Sequence, residues 1–308
     1  MLSSQDGSLC DLLGELAAGG YRFVTPTPET HRRVVSQRGT ATDIRDIFGW
    51  SLPFAPQTAG PRILRLLEAA EMVISEGDNF RSAVRVSSVG DALFLHSAYP
   101  TTQVDSVFFG PDSYRFVDFL RAEFAGSTAV GNLVDIGTGS GVGGIMAAMQ
   151  VQPAKVTLTD INPLALRFAR INAVHSKIEV ATVEGSGVEA IAAPIELAVS
   201  NPPYLMDSAG RSYRDGGGMY GAALSLDWAL AAAAKLAPGG RLLLYTASAI
   251  VKGQDNLHAA LVDGLDEGRF RLRYRELDPD VFGEQLEEPH YRDVERIAVV
   301  GAVLERLE

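Results

Sequence analysis

The chain has 308 residues, of which 46% are hydrophobic and 21% charged, with a formal net charge of −11. This composition is that of a globular protein with enough apolar material for a large core, and the acidic balance argues against a broad electrostatic footprint for nucleic acid. Cys10 is the single cysteine, so a disulfide framework and a thiolate metal cluster are excluded. Without an apolar run of membrane-helix length or a signal-peptide pattern, we expect a soluble, cytoplasmic protein.

Residues 1–104 read as a mainly helical N-terminal domain for substrate recognition. Leucines at helical spacing precede Gly19-Gly20, Thr27-Pro28 fits an N-cap and first helical residue, and further helices are predicted from Ile44 and over residues 61–74. Apolar runs on both sides of Gly90-Asp91 predict a β-hairpin. Helices followed by a hairpin resemble a winged-helix module in shape.

The second part of the chain is residues 105–308, and strand and helix patterns alternate in it from residue 133 onward. That alternation predicts a doubly wound α/β domain, with a seven-stranded, Rossmann-like sheet covered by helices on both faces. The predicted strands cover 133–136, 156–159, 178–183, 195–199, 241–246, 269–275 and 296–304. No low-complexity linker separates this domain from residues 1–104, so we expect the two parts to pack together.

A glycine-rich turn follows the first of these strands. Gly139 to Gly144 satisfy the pattern G-x-G-x-x-G, so an NAD-dependent oxidoreductase has to be considered. The spacing Asp135-x-Gly137-x-Gly139 fits the strand-to-turn boundary better, and an acid at that place suits a cation rather than a pyrophosphate. The second strand ends on Asp160, 23 residues after Gly137, where a carboxylate meets ribose hydroxyls in nucleotide-binding units. We therefore favour S-adenosylmethionine as the ligand.

The fourth strand ends in Asn201-Pro202-Pro203-Tyr204. Two prolines lack backbone N–H groups and fix their own φ, so the chain leaves the strand in a stiff turn. The side-chain carbonyl of Asn201 and the backbone carbonyl of Pro202 are two acceptors that could hold both hydrogens of an NH2 group. Tyr204 adds a flat face for a planar amide or a base.

These motifs carry a family resemblance. Residues 105–304 resemble a class I S-adenosylmethionine-dependent methyltransferase, in the branch whose fourth strand ends in (N/D)-P-P-(Y/F). The branch includes methyltransferase-small-domain proteins, release-factor glutamine methyltransferases and enzymes that act on exocyclic amines of adenine or guanine. The resemblance implies in-line methyl transfer to a planar NH2, with no metal.

The resemblance also implies roles for individual residues. The catalytic residues would be Asn201, Pro202 and Tyr204. The cofactor-binding residues would be Asp135, Gly137, Thr138, Gly139 and Gly141 at the methionine end, Asp160 at the ribose, Ile161, Gly185 and Ser186 at the adenine, and Asn201. The substrate-binding residues would be Phe109, Pro111, Pro203, Tyr204 and Tyr213, the last in a glycine-rich loop, 213–218, that could close over the site.

The resemblance leaves the acceptor open. The chain lacks the P-R-P-E-T-E sequence of release-factor enzymes, yet Asp215-Gly216-Gly217 and Gly221 to Leu224 resemble their D-G-G-x-x-G-L segment. A release-factor-like protein and an rRNA or DNA base both remain as macromolecular partners, and the acidic balance favours the protein. A small-molecule methyltransferase and a binding module without catalysis are further alternatives. Trp50 and Trp228 are interpreted as core anchors, and the five histidines as structural or solvated, with His290 the one of interest.

Overall fold

The computed structural model describes residues 2–124, 130–192, 194–207, 211 and 213–307. Its N-terminal helices are α1 (Ser4–Ala18), α2 (Pro28–Val35), α3 (Ile44–Phe48) and α4 (Pro56–Ala69). Two antiparallel hairpins follow, β1 (Val73–Glu76) with β2 (Asn79–Ser82) and β3 (Val84–Val89) with β4 (Ala92–Ser97). The second hairpin and the Thr27 N-cap, whose hydroxyl accepts from the Thr30 amide at 3.3 Å, confirm those sequence predictions.

The predicted helix over residues 61–74 was wrong at its carboxyl end. The non-helical Gly60 (φ 76°) divides α4 just before Pro61, the predicted first residue, and the helix stops at Ala69. Val73 and Ile74 are β-branched and pair with Ser82 and Arg81 instead. The strand-forming preference of these two residues therefore prevails over the helical spacing that precedes them.

The second half contains the large sheet. Its helices are α5 (Pro111–Phe124), α6 (Val142–Val151), α7 (Pro163–His175), α8 (Ala223–Lys235) and α9 (Asn256–Gly264). Its strands are β5 (Asn132–Ile136), β6 (Lys155–Asp160), β7 (Ala181–Glu184), β8 (Ile195–Ser200), β9 (Leu236–Val251), β10 (Gln254–Asp255), β11 (Phe270–Asp278) and β12 (Arg296–Arg306). Short 3₁₀ segments lie at Met219–Gly221, Gly283–Glu287 and Pro289–Tyr291.

The strand order is β11-β12-β9-β8-β5-β6-β7, with the short β10 paired to β9. The pairs between β5, β6, β7, β8 and β9 are parallel, whereas β12 runs antiparallel to both of its neighbours. The predicted seven strands are thus present, but the sheet is mixed rather than all parallel, because β12 follows β11 and returns antiparallel between β11 and β9. The order in which strands are added reverses at β5: β6 and β7 lie on one side of it, and β8 and β9 lie on the other. Such a switch point opens a crevice at the carboxyl ends of the strands.

The N-terminal part shares a buried core with α7. Ala165, Phe168 and Ile171 of this helix belong to the same hydrophobic cluster as the leucines of α1. Arg167 of α7 also pairs with Asp6 of α1, with Nε 2.6 Å from Oδ1. A division into domains after residue 104 stays a prediction, and the winged-helix likeness does as well.

Asn172 of α7 connects the two parts through hydrogen bonds. Its side chain, fully buried, accepts from the Leu95 amide at 2.8 Å and donates to the Leu95 carbonyl at 3.0 Å and the Ser140 carbonyl at 2.8 Å. One amide therefore holds the β4 hairpin strand against the glycine-rich loop. Within the described residues, no helix has the length and apolar content to cross a membrane.

We expect Asn172→Leu to lower the free energy of unfolding by about 2–4 kcal/mol, because the backbone groups of Leu95 and Ser140 lose their partner inside the core. Urea denaturation measures this loss. The control is Val174→Ala on the same helix, 46% exposed, for which a change within about 0.5 kcal/mol is expected. Equal losses for the two variants would contradict the connecting role of Asn172.

Candidate active site

A cavity of about 330 Å³ lies at the carboxyl ends of β5, β6 and β8. This volume is in the range of small-molecule sites. The cavity is lined by twelve of the sequence-predicted site residues: Asp135, Gly137, Thr138, Gly139, Asp160, Ile161, Ser186, Asn201, Pro202, Pro203, Tyr204 and Tyr213. The fold thus brings together residues that are up to 78 positions apart (213 − 135 = 78).

The carboxylate of Asp135 lines the cavity. It is 2% exposed, and its Oδ2 accepts from Thr138 Oγ1 at 2.6 Å and from the Gly144 amide, in the first turn of α6, at 2.7 Å. Burial raises the pKa of Asp135 to about 6, and these two donors oppose the rise. No hydrogen bond from a described residue reaches Oδ1. This oxygen remains available to a cationic ligand.

Two glycines allow the loop after β5 to fit around this carboxylate. A Cβ on Gly144 would lie 2.6 Å from Leu158 Cδ2 and 2.9 Å from the Cβ of Asp135, so only glycine fits at this position in the first turn of α6. A Cβ on Gly137, whose φ is 67°, would lie 2.6 Å from the Trp228 ring. The glycine-rich sequence is therefore required by close packing as well as by backbone conformation.

Asp160 joins the loops that follow β5 and β6. Its Oδ2 accepts from the Gly139 amide at 2.8 Å and its Oδ1 from the Asn162 amide at 2.9 Å. Burial raises the pKa of Asp160, and these backbone amides oppose the rise. Ile161 beside it is 52% exposed and offers an apolar surface on the cavity wall.

The turn after β8 contains two hydrogen-bond acceptors that receive no hydrogen bond from the described residues. The Oδ1 atom of Asn201 is buried and has no hydrogen-bond partner among the described residues. Within the same residues, no backbone hydrogen bond uses the Pro202 carbonyl. Tyr204, 9% exposed, lines the cavity next to them. A buried acceptor without a donor costs free energy unless a ligand supplies the donor.

The loop 213–218 lies directly against this turn. The Leu205 amide donates to the Arg214 carbonyl at 3.2 Å, and the Gly216 amide donates to the Leu205 carbonyl at 2.7 Å. The Tyr213 ring is parallel to Phe108, with centroids 5.9 Å apart, and its hydroxyl donates to the Thr101 carbonyl at 2.7 Å. Tyr213, Arg214 and Asp215 of this loop line the cavity, and closure of the loop over it stays a prediction.

Four of the sequence-predicted site residues do not line the cavity: Phe109, Pro111, Gly141 and Gly185. Phe109 is 2% exposed and stacks on His96 at 5.1 Å, while its neighbour Phe108 lines the cavity. The reason is that adjacent side chains of an extended segment point to opposite sides. Pro111 starts α5, and Gly141 (φ 83°) is the N-cap of α6. The Gly185 amide donates to the Asp160 carbonyl at 3.0 Å and so positions Ser186.

Sequence reasoning missed Trp228, Phe282 and Asp112, which also line the cavity. Trp228 was interpreted as a core anchor, but it is only half-buried, and it shares one face of α8 with Leu224, four residues earlier. That helical spacing was a usable signal. Phe282 comes from the connection between β11 and β12, and no local motif marks it. Among the described residues, no cluster of His, Cys, Asp or Glu could hold a metal ion, and His290 lies outside the cavity lining.

Residues 115–260 match the family described as "Methyltransferase small domain". The chain is 40% identical over 123 residues to the release factor glutamine methyltransferase of Deinococcus radiodurans, covering 36% of this chain and 44% of that protein. It is 30% identical over 111 residues to the ribosomal RNA small subunit methyltransferase C of Ectopseudomonas mendocina, covering 32% and 34%. The chain thus spans less than half the length of these two relatives.

Among solved structures, the fold is similar to that of Trm5b from Pyrococcus abyssi, with a TM-score of 0.52 and 13% identity, covering 82% of this chain and 70% of that one. At this identity the similarity shows the fold alone. It extends beyond residues 115–260 and supports the topology described above.

The charge of Asp135 predicts a pH-dependent affinity for S-adenosylmethionine. Its carboxyl group, with a pKa raised to about 6, is protonated at pH 5 and attracts a cation only after it ionises. Affinity measured by calorimetry should therefore rise about 10-fold from pH 5 to pH 7.5 and then level off. In Asp135→Asn, which keeps Asp160, affinity should be weak and this rise should disappear. An unchanged pH profile in the variant would contradict the assignment.

Proposed function

We propose that this chain, whose residues 115–260 match the methyltransferase small domain, is a class I S-adenosylmethionine-dependent methyltransferase that methylates the nitrogen of a planar NH2 group. The acceptor proposed first is the side-chain amide of a protein glutamine. The observation that carries the proposal is the buried Asn201 Oδ1, which has no donor among the described residues and belongs to a turn that lines the cavity.

The residues present fit S-adenosylmethionine, the methyl donor of this family. Asp135 offers a free Oδ1 for the amino group, Asp160 has a carboxylate on the cavity wall for the ribose, and Ile161 has an apolar surface for the adenine. The cofactor supplies an electrophilic methyl group on its sulfonium sulfur. The protein itself therefore needs to position and polarise the acceptor rather than provide a nucleophile.

Asn201 and Pro202 would perform that task. Their two carbonyl oxygens accept both hydrogens of the NH2 group, which localises the nitrogen lone pair on the side facing the methyl group. The nitrogen becomes cationic as it gains the methyl group and then releases one proton, and the same oxygens stabilise the developing charge. Since an amide or aryl NH2 is a weak nucleophile, this stabilisation is the main contribution expected of the chain.

The charge around the cavity favours a protein over a nucleic acid. The segment 276–295, which contributes Phe282 to the cavity, has eight acidic residues and one arginine, so its net charge is −7 (1 − 8 = −7). A phosphate backbone at this side would meet like charge. The similarity to a release factor glutamine methyltransferase, 40% over 123 residues, points the same way.

A second candidate is the exocyclic amine of a base in rRNA or DNA. It is supported by the similarity to ribosomal RNA small subunit methyltransferase C and by the flat rings of Tyr204 and Phe282, on which a base could stack. Asn201 and Pro202 would accept the same two hydrogen bonds from the NH2 group of either methyl acceptor.

Asn201→Ala should lower kcat by about 100-fold or more, because the developing charge on nitrogen loses an acceptor. The Kd for S-adenosylmethionine should stay within about 3-fold, since Asp135 and Asp160 are intact. Methyl incorporation and calorimetry measure the two quantities. The matched control is Asn132→Ala, which also removes a buried Oδ1 without a partner among the described residues. Asn132 is the first residue of β5, whereas the cavity lies at the carboxyl end of that strand. If Asn201→Ala lowers turnover and cofactor affinity by the same factor, the proposal is contradicted.

The acceptor is identified by incubating the protein and tritium-labelled S-adenosylmethionine with an extract of cells that lack it. Protease should release the label and nuclease should not. Release by nuclease would move the assignment to the base amine, and label confined to small molecules would contradict both candidates. Asn201→Ala in the same extract is the background reaction.

A further inference from the structure

One residue in the cavity wall has a charge that the cofactor does not explain. Within the part of the chain that the structure describes, Arg214 is the one basic residue that lines the cavity, beside four aspartates: Asp112, Asp135, Asp160 and Asp215. The aspartates suit a cationic methyl donor, whereas an arginine repels the sulfonium of S-adenosylmethionine. Arg214 therefore requires a different, anionic partner.

The carboxylate that pairs with Arg214 is already occupied by a second arginine. Arg214 Nε lies 3.6 Å from Asp207 Oδ1, and this aspartate side chain is 5% exposed. Asp207 Oδ2 accepts from the amide and from Nε of Arg211, both at 2.9 Å. The side-chain hydrogen bond from Arg211 lowers the pKa of Asp207 against the effect of burial, so the carboxylate is ionised at neutral pH. Two guanidinium groups thus share one negative charge, which leaves a net charge of +1 (2 − 1 = +1).

Arg214 lies on the acceptor side of the cavity. Its carbonyl accepts from the amide of Leu205 at 3.2 Å, and Leu205 directly follows the Asn201-Pro202-Pro203-Tyr204 turn. The next residue, Asp215, forms an isolated parallel bridge with Leu205. These contacts fix the backbone of Arg214 beside the two oxygens proposed to hold the NH2 group. The Arg214 side chain is 26% exposed, so an anion that reaches it is less screened by water than at the protein surface.

We propose that Arg214 binds a carboxylate of the acceptor, close to the glutamine whose NH2 group is methylated. A guanidinium presents two parallel N–H donors, whose geometry matches the two oxygens of a carboxylate. The carboxylate belongs to an Asp or Glu side chain near the glutamine, or to the carboxyl terminus of a protein that ends in glutamine. Two residues of extended chain span about 7 Å, so the carboxylate lies within about two residues of the glutamine. The inference rests on the proposed function, because it assumes a protein acceptor.

The first test removes the charge of Arg214. In Arg214→Gln, the apparent KM for the acceptor, measured by titrating the extract, should rise about 10-fold, because a charge-assisted hydrogen bond to the carboxylate is lost. The ion pair forms equally in the ground state and the transition state, so kcat should stay within about 3-fold. Arg214→Lys keeps the charge but loses the paired donors, so its KM should rise by only about 3-fold. An unchanged KM in Arg214→Gln would overturn the inference.

A second measurement needs no acceptor and separates the acceptor carboxylate from that of the cofactor. Calorimetry on Arg214→Gln should give a Kd for S-adenosylmethionine within about 2-fold of the wild-type value. Methylthioadenosine, which lacks the amino-acid end of the cofactor, is the reference ligand. If the variant binds S-adenosylmethionine about 10-fold more weakly and methylthioadenosine with unchanged affinity, Arg214 pairs with the cofactor carboxylate and the inference is wrong.

The matched control is Arg275→Gln. Arg275 Nη2 lies 3.6 Å from Glu123 Oε1, and Glu123, whose side chain is 9% exposed, also pairs with Arg273 at 2.6 Å. Arg275 belongs to β11 and lies outside the cavity lining. The variant thus removes an arginine that shares one buried carboxylate with a closer arginine, as Arg214 does, and we expect its KM and kcat to be unchanged. A rise of KM by the same factor as in Arg214→Gln would attribute the effect to net charge and contradict a specific contact at Arg214.

The sequence around the methylated glutamine provides the last test. Protease digestion and mass spectrometry of the labelled extract locate this glutamine, and we expect an Asp, a Glu or the chain terminus within about two residues of it. Which of these is found identifies the source of the carboxylate. A methylated glutamine without a carboxylate nearby would contradict the inference and leave the proposed function intact. Label released only by nuclease would contradict the protein acceptor, and the inference would fall with it.

Discussion

The carboxylate of Asp135 organises the crevice at the carboxyl ends of the central strands. Asp135 is the penultimate residue of β5, and its carboxylate accepts from the first turn of α6 and from Thr138 and is almost fully removed from solvent. A buried anion at this place is costly unless donors or a cation compensate it, and the glycine-rich loop provides only part of that compensation. The geometry of the loop and the start of α6 both follow from surrounding this one group.

On the other side of the crevice, the turn after β8 lacks a hydrogen-bond donor rather than a cation. Asp135 offers negative charge to a cation, and Asn201 offers a buried oxygen to a donor. A sulfonium cofactor at the first and an NH2 group at the second satisfy both, which is the physical basis for the proposed methyl transfer. The strand order places them on neighbouring strands, so neither requires a large movement of the chain.

The sequence allowed the sheet and these two groups to be predicted because both are local. Asp135 with its glycines, Asp160 and the Asn201 turn are short motifs at strand ends, and strand-helix alternation is enough to bring them together. Phe108 could not be told from Phe109, since the choice depends on which side of an extended segment meets the core. The Phe282 ring meets Tyr204 across 78 positions (282 − 204 = 78). The Tyr245 hydroxyl reaches Asp112 across 133 positions (245 − 112 = 133), and no local pattern contains either contact.

The most direct test of the shared geometry is a crystal structure with an S-adenosylmethionine analogue in which an amine replaces the sulfonium methyl. No acceptor is needed, because the amine stands where the methyl group meets the acceptor nitrogen. We predict that the amine of the analogue lies about 3 Å from Asn201 Oδ1 and that its amino-acid ammonium contacts Asp135 Oδ1. An analogue bound with its amine directed away from Asn201, or bound outside this crevice, would contradict the account.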